Sequence, residues 1–120
     1  MKKITNPEAF RQYNLWRYKS LGHIPVIDID QIEIRNNQPV AIIETTMFRY
    51  KHAIKPQLSK VLERIKFQMN IQQQIADKLN IPLYLVIHTE DLQYFLVIDY
   101  GSGKQKEMSL IEYKEFIKEI

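Results

Sequence analysis

PVIDIDQIEIRNNQPVAIIETTM, residues 25–47, holds two strands, a tight turn and most of the acids of interest. Ile27 and Ile29 alternate with Asp28 and Asp30, which is strand spacing. The apolar phase then shifts to Ile32 and Ile34, and a β-bulge near Asp30–Gln31 would account for the shift. Two separate short strands, or one strand buried on both faces, would account for it equally. Asn36-Asn37 tolerates positive φ at both residues, so a tight hairpin is expected there. Val40, Ala41, Ile42 and Ile43 are apolar in succession, the signature of a central strand covered on both faces. Glu44 interrupts that run.

Outward from this stretch, Asn6-Pro7 reads as a helix start, with Asn as cap and Pro at the first helical position. Phe10, Tyr13 and Trp16 recur at helical spacing, which predicts a buried aromatic face. Gly22 is expected to end this helix in the left-handed conformation. Downstream, a single helix is predicted from about Lys55-Pro56 to Leu79, with Gln68 and Gln72 on its apolar stripe. LYLVIHT, residues 83–89, and residues 93–100 read as further strands. Gly101-Ser102-Gly103-Lys104 reads as a turn, and Ser109 with Glu112 as a capping box for a last helix. The expected order is α-β-β-α-β-β-α: one α+β domain over residues 1–120, with a mixed sheet flanked by helices.

Composition narrows the function classes. There is no cysteine, so disulfides and thiolate metal sites are excluded. Nothing resembles a signal peptide or a membrane span, so an intracellular, cytoplasmic protein is expected. The net charge of +3 permits a nucleic-acid partner without requiring one. Three scattered histidines have no zinc-ligand spacing, and the Gly-rich turn lacks the context of a phosphate loop.

The chemistry concentrates in the acids. A carboxylate buried in a central strand costs about 3–5 kcal/mol unless it is paired or bound. Asp28 and Asp30 on the preceding strand would repel Glu44, and a divalent cation such as Mg²⁺ resolves that repulsion. Glu44 pairing with Arg17, Arg49 or Lys51, and binding no metal, is the other reading of the same residues.

Residues 25–46 resemble the core of the PD-(D/E)xK nuclease superfamily, where an Asp on one strand is followed across a hairpin by apolar residues and Glu-x-Lys. The resemblance extends to the order of elements over about residues 7–98 and implies a restriction-endonuclease-like fold. By it, Asp30 is the metal-binding Asp with Asp28 as the competing candidate, Glu44 is the motif Glu, and the Thr45 carbonyl is a further ligand. Gln68 and Gln72 match glutamines that some members place on the next helix, although hydrogen bonds to neighbouring backbone would also explain them.

The departure is Thr46, which stands where the motif has Lys. Lys51 and Arg49 are the nearest cations in sequence to replace it. The implied activity is Mg²⁺- or Mn²⁺-dependent phosphodiester hydrolysis at Asp30, Glu44, Thr46 and Lys51, on DNA rather than RNA. Arg11, Arg17, Arg49 and Lys55 would hold backbone phosphates. A homodimer also follows from the resemblance. The alternative is an inactive module on the same fold that binds nucleic acid or a protein.

Overall fold

The computed structural model describes residues 7–120. The cap expected at Asn6 lies outside the described residues. Helix α1 spans Pro7–Leu21, β1 Gln31–Arg35 and β2 Gln38–Phe48. A short 3-10 turn at Lys51–Ala53 leads into α2, Ile54–Arg64, and α3, Lys66–Leu79. Strands β3, Leu83–Thr89, β4, Phe95–Asp99, and β5, Gln105–Met108, precede α4, Leu110–Glu119.

The five strands form one sheet in the order β1-β2-β3-β4-β5. Only β2 and β3 are parallel, because the α2–α3 segment carries the chain back across the sheet between them. The other neighbours are antiparallel. The protein is therefore α+β with a mixed sheet.

The sheet divides the core into two layers. Ile42, Leu85, Ile87, Leu96 and Ile98 meet Val61, Met69 and Ala76 of α2 and α3. Ile43, Val86, Phe95 and Val97 meet α4 on the other face, where the Phe95 and Tyr113 rings stack at 4.2 Å. Ala41, Ile42 and Ile43 are fully buried, as the unbroken apolar run of β2 predicts. The β1–β2 hairpin turns on Asn36 and Asn37 at φ 51° and 62°. Ser109 and Glu112 form the expected reciprocal cap of α4.

Several expectations are corrected. Residues 25–30 are not a strand; β1 begins at Gln31. The register shift lies between Glu33 and Ile34, where β2 carries Val40 as an extra residue, and not at Asp30–Gln31. The single helix expected between the central strands is two, divided at Ile65 (φ −97°, ψ 5°). Hydrogen bonds run across the division, from Ile65 N to Val61 O and from Met69 N to Ile65 O, so it is a local irregularity. Strand β5 is an addition: after the Gly101–Lys104 turn, the chain pairs along β4. The order is α-β-β-α-α-β-β-β-α.

Helix α1 departs furthest from expectation. It buries no residue, and Phe10, Tyr13 and Trp16 are each about half exposed, at 53%, 56% and 52%. Periodicity identifies an apolar face but not its partner. Here α2 and α3 cover one face of the sheet and α4 the other, and α1 does not cover the apolar surface that remains at the β1 edge, where Ile32 and Ile34 are exposed. Gly22 has no positive φ; a Cβ there would stand 2.5 Å from the Tyr18 carbonyl oxygen, so close approach is what requires glycine. No helix among the described residues is long and apolar enough to cross a membrane.

Candidate functional site

Strand alternation decides which β2 side chains meet. Ile42, Glu44, Thr46 and Phe48 share the face toward α2 and α3, while Ile43 and Thr45 face α4. Glu44 is thus a buried carboxylate, 9% exposed, under the helical layer. Two α3 side chains one turn apart reach it: Gln68 Nε2 donates to Oε1 at 3.0 Å and Gln72 Nε2 to Oε2 at 2.7 Å. The same amides also donate to the Asp28 carbonyl, at 3.4 Å and 3.2 Å. The two glutamines therefore tie β2 to the segment preceding β1.

Asp30 enters from that segment. Its Oδ2 accepts the Thr45 backbone N–H and the Thr45 hydroxyl, both at 3.0 Å. Thr45 shares backbone direction with Ile43, which pairs with Gln31, so its N–H would be the next rung of the β1–β2 ladder. The carboxylate takes the place of a backbone acceptor. This is the physical reason that residues 25–30 are unpaired although they alternate like a strand.

Burial pushes the Glu44 carboxyl above its ordinary value of 4.5, and the neighbouring Asp30 charge pushes it the same way. The Gln72 hydrogen bond opposes this. Two acids thus share one place with no cation to balance them: among the described residues neither Asp30 nor Glu44 is in an ion pair.

The other predicted residues are distributed elsewhere. Asp28 lines a groove beside α1, and its carbonyl accepts from the two glutamines that hold Glu44. Thr46 is partly buried on the Glu44 face. Lys51 Nζ lies 4.8 Å from the centre of the Tyr94 ring, and Lys55 pairs with Glu107 at 3.3 Å. Arg49 pairs with Glu90 at 3.8 Å, and Arg11 with Glu8 at 3.9 Å. Arg17 lines the α1 groove, and its Nε is buried without a hydrogen-bond partner. The partners proposed for Glu44 among the cations are thus replaced by neutral glutamines.

Some features were not legible beforehand. The Asp28 carbonyl as a shared acceptor has no side-chain signature. A second polar cluster joins Tyr94, Glu107 and Lys55, with the Tyr94 hydroxyl donating to Glu107 at 2.8 Å. Its acid lies on β5, the strand that sequence pattern missed.

The donor chemistry bears on a metal. Among the described residues no three histidine, aspartate or glutamate side chains gather closely enough to hold an ion by themselves. Two carboxylates do gather, and Gln72 Oε1 is buried with no donor. This is an all-oxygen set with an acceptor left over. Mg²⁺ suits it, because that ion commonly takes one or two carboxylates and keeps several waters. No family model, curated protein sequence or solved structure matches the chain.

Proposed function

We propose that the protein is a divalent-metal-dependent nuclease of the PD-(D/E)xK kind, with Asp30 and Glu44 as its metal-holding acids. The observation that carries this reading is the buried Glu44 beside Asp30, two acids that form no ion pair among the described residues. The Thr45 carbonyl completes the proposed ligand set, as the resemblance implies. A Mg²⁺ or Mn²⁺ ion bound there would lower the pKa of a water and offset charge developing on a phosphodiester.

The chain's own residues do the positioning. Thr45 fixes Asp30 through two hydrogen bonds, so one carboxylate oxygen is committed and the other is left for a ligand. Gln68 and Gln72 hold the Glu44 carboxylate from α3 and fix its direction. Both amides are neutral and leave the acid its full charge for a cation. Thr46, on the same face, can donate a hydroxyl where the motif has an ammonium.

A second reading is favoured by that same residue. With Thr46 in the lysine position and Lys51 over Tyr94, neither acid is in an ion pair with an ammonium among the described residues. An inactive module that binds nucleic acid or a protein would have this arrangement.

The test is cleavage of single- and double-stranded DNA and RNA with Mg²⁺ or Mn²⁺, comparing wild type with Asp30→Asn and Glu44→Gln. Metal-dependent cleavage lost in both variants supports the nuclease. Cleavage retained by both removes the site assignment, and no cleavage of any substrate favours the inactive module.

A further inference from the structure

Helix α1 and the chain that follows it enclose a groove of about 520 Å³, lined by Phe10, Tyr13, Arg17, Tyr18, Val26 and Asp28 among others. We propose that this groove binds single-stranded nucleic acid, with bases against Tyr13 and Tyr18 and a phosphate on Arg17. The inference rests on the nucleic-acid reading of the acid pair and names the form of its substrate.

Three observations carry it. The first is the wall itself. Phe10, Tyr13 and Tyr18 are all more than half exposed on a helix that buries nothing, so their rings are open to a flat partner. Bases stack on such rings whatever their sequence.

The second is charge. Arg17 is the cation that lines the groove, set among the rings, with Asp28 at the end nearer the acid pair. Arg11 is engaged with Glu8, whereas Arg17 lies among the aromatic rings with its buried Nε unpartnered. Among the described residues Arg17 is in no ion pair, so a phosphate in the groove supplies its counter-charge.

The third is continuity. Asp28 lines the groove, and its carbonyl accepts from Gln68 and Gln72, which hold Glu44. A strand in the groove therefore runs toward the acid pair. A duplex keeps its bases stacked within itself and cannot offer them to these rings.

The experiment uses the full chain with Glu44→Gln, in chelator, and a fluorescein-labelled oligodeoxythymidine. Trp16 is the single tryptophan, with its ring centre 5.6 Å from that of Tyr13, so its fluorescence reports on this face. Binding is expected to quench Trp16. Tyr13→Ala and Tyr18→Ala should each weaken binding about tenfold, while Tyr13→Phe and Tyr18→Phe retain it. Arg17→Gln should lower the slope of log affinity against log salt by about 0.7. Because α1 buries no residue, these substitutions leave the core intact.

Equal affinity for a duplex with the same quench would overturn the inference, as would alanine variants that bind like the parent. A dimer in sedimentation that the alanine variants dissociate, with oligonucleotide affinity unchanged, would assign the face to a second copy instead. The two proposals fail separately. Wild-type cleavage at unchanged rates in Tyr13→Ala and Tyr18→Ala sinks the groove and leaves the nuclease standing. Groove-dependent binding without cleavage by the wild type sinks hydrolysis and leaves the groove.

Discussion

Asp30 accepts both the backbone N–H and the side-chain hydroxyl of Thr45 through one oxygen, Oδ2, at 3.0 Å each. A single carboxylate oxygen thereby ends a strand ladder and fixes the acid nearest Glu44. The two bonds differ in what replaces them. Thr45→Val removes only the hydroxyl and should cost about 1 kcal/mol in urea unfolding. Asp30→Ala also strands the Thr45 N–H and should cost about 1–2 kcal/mol, toward the low end because Asp30 is exposed and water can reach that group.

Gln72 is fully buried and donates to both Glu44 and the Asp28 carbonyl. Gln72→Leu should destabilise the protein by about 2–3 kcal/mol, since it leaves a buried carboxylate oxygen and a carbonyl without that donor. Because this hydrogen bond favours the ionised acid, its loss should also move the Glu44 pKa further up. Carbon NMR titration of the glutamate carboxyls in chelator reads both protein forms.

The sign of the Glu44 shift fixes a pH dependence. Its folded pKa exceeds the ordinary 4.5, so the folded state holds the proton over a window in which the unfolded chain has released it. The corresponding stability is present below about 4.5 and is lost as pH rises through the folded pKa. In chelator, Glu44→Gln should therefore gain stability relative to wild type between pH 4 and pH 7. Asp30→Asn should bring the Glu44 pKa down without restoring 4.5, because burial, the larger cause, remains. Adding Mg²⁺ should raise the melting temperature of wild type at pH 7 and not that of Glu44→Gln.

Tyr94 offers an independent check away from the acid pair. Burial and the hydrogen bond to Glu107 push its phenol up to about 12. Ultraviolet titration should find one tyrosine ionising near that value, and Glu107→Gln should lower it. Stability from this group persists below pH 10 and is lost as pH rises through about 12.

The hairpin turn gives a prediction whose sign depends on the substituent. Asn37 sits at φ 62°, a conformation that costs most L-residues about 1–2 kcal/mol. Asn37→Val should lose about that much in urea unfolding, and Asn37→Gly should be neutral or slightly stabilising.

The legible parts of the fold were those set by local chemistry. The Asn36-Asn37 turn, the apolar run of β2 and the Ser109–Glu112 cap each announce themselves in a few adjacent residues. The parts that failed depend on distant partners. Ile27 and Ile29 alternate like a strand, but Asp30 occupies the Thr45 donor that would have extended the ladder. The aromatic stripe of α1 was visible, but the covering of both sheet faces by other helices was not. In the site, Glu44, Gln68 and Gln72 stand out as polar residues on apolar patterns, and they do meet. Nearness in sequence points to Lys51, Lys55 and Arg49 as the cations, but they take other partners because the chain leaves the sheet after Phe48.

The parallel seam between β2 and β3 also sets an order of assembly. Asp30 and Thr45 are 15 residues apart across a two-residue turn, so their contact needs only the local hairpin. The glutamines come from 24 to 44 residues away along the chain and arrive only when the α2–α3 crossover docks. Closing that longer loop carries an entropic cost that the hairpin does not. On this order Glu44 stands hydrated until α3 covers it, whereas Asp30 stays exposed in the folded protein. Slowing the crossover, for instance by helix-weakening glycines on the exposed side of α3, should delay burial of Glu44 while leaving hairpin formation unchanged.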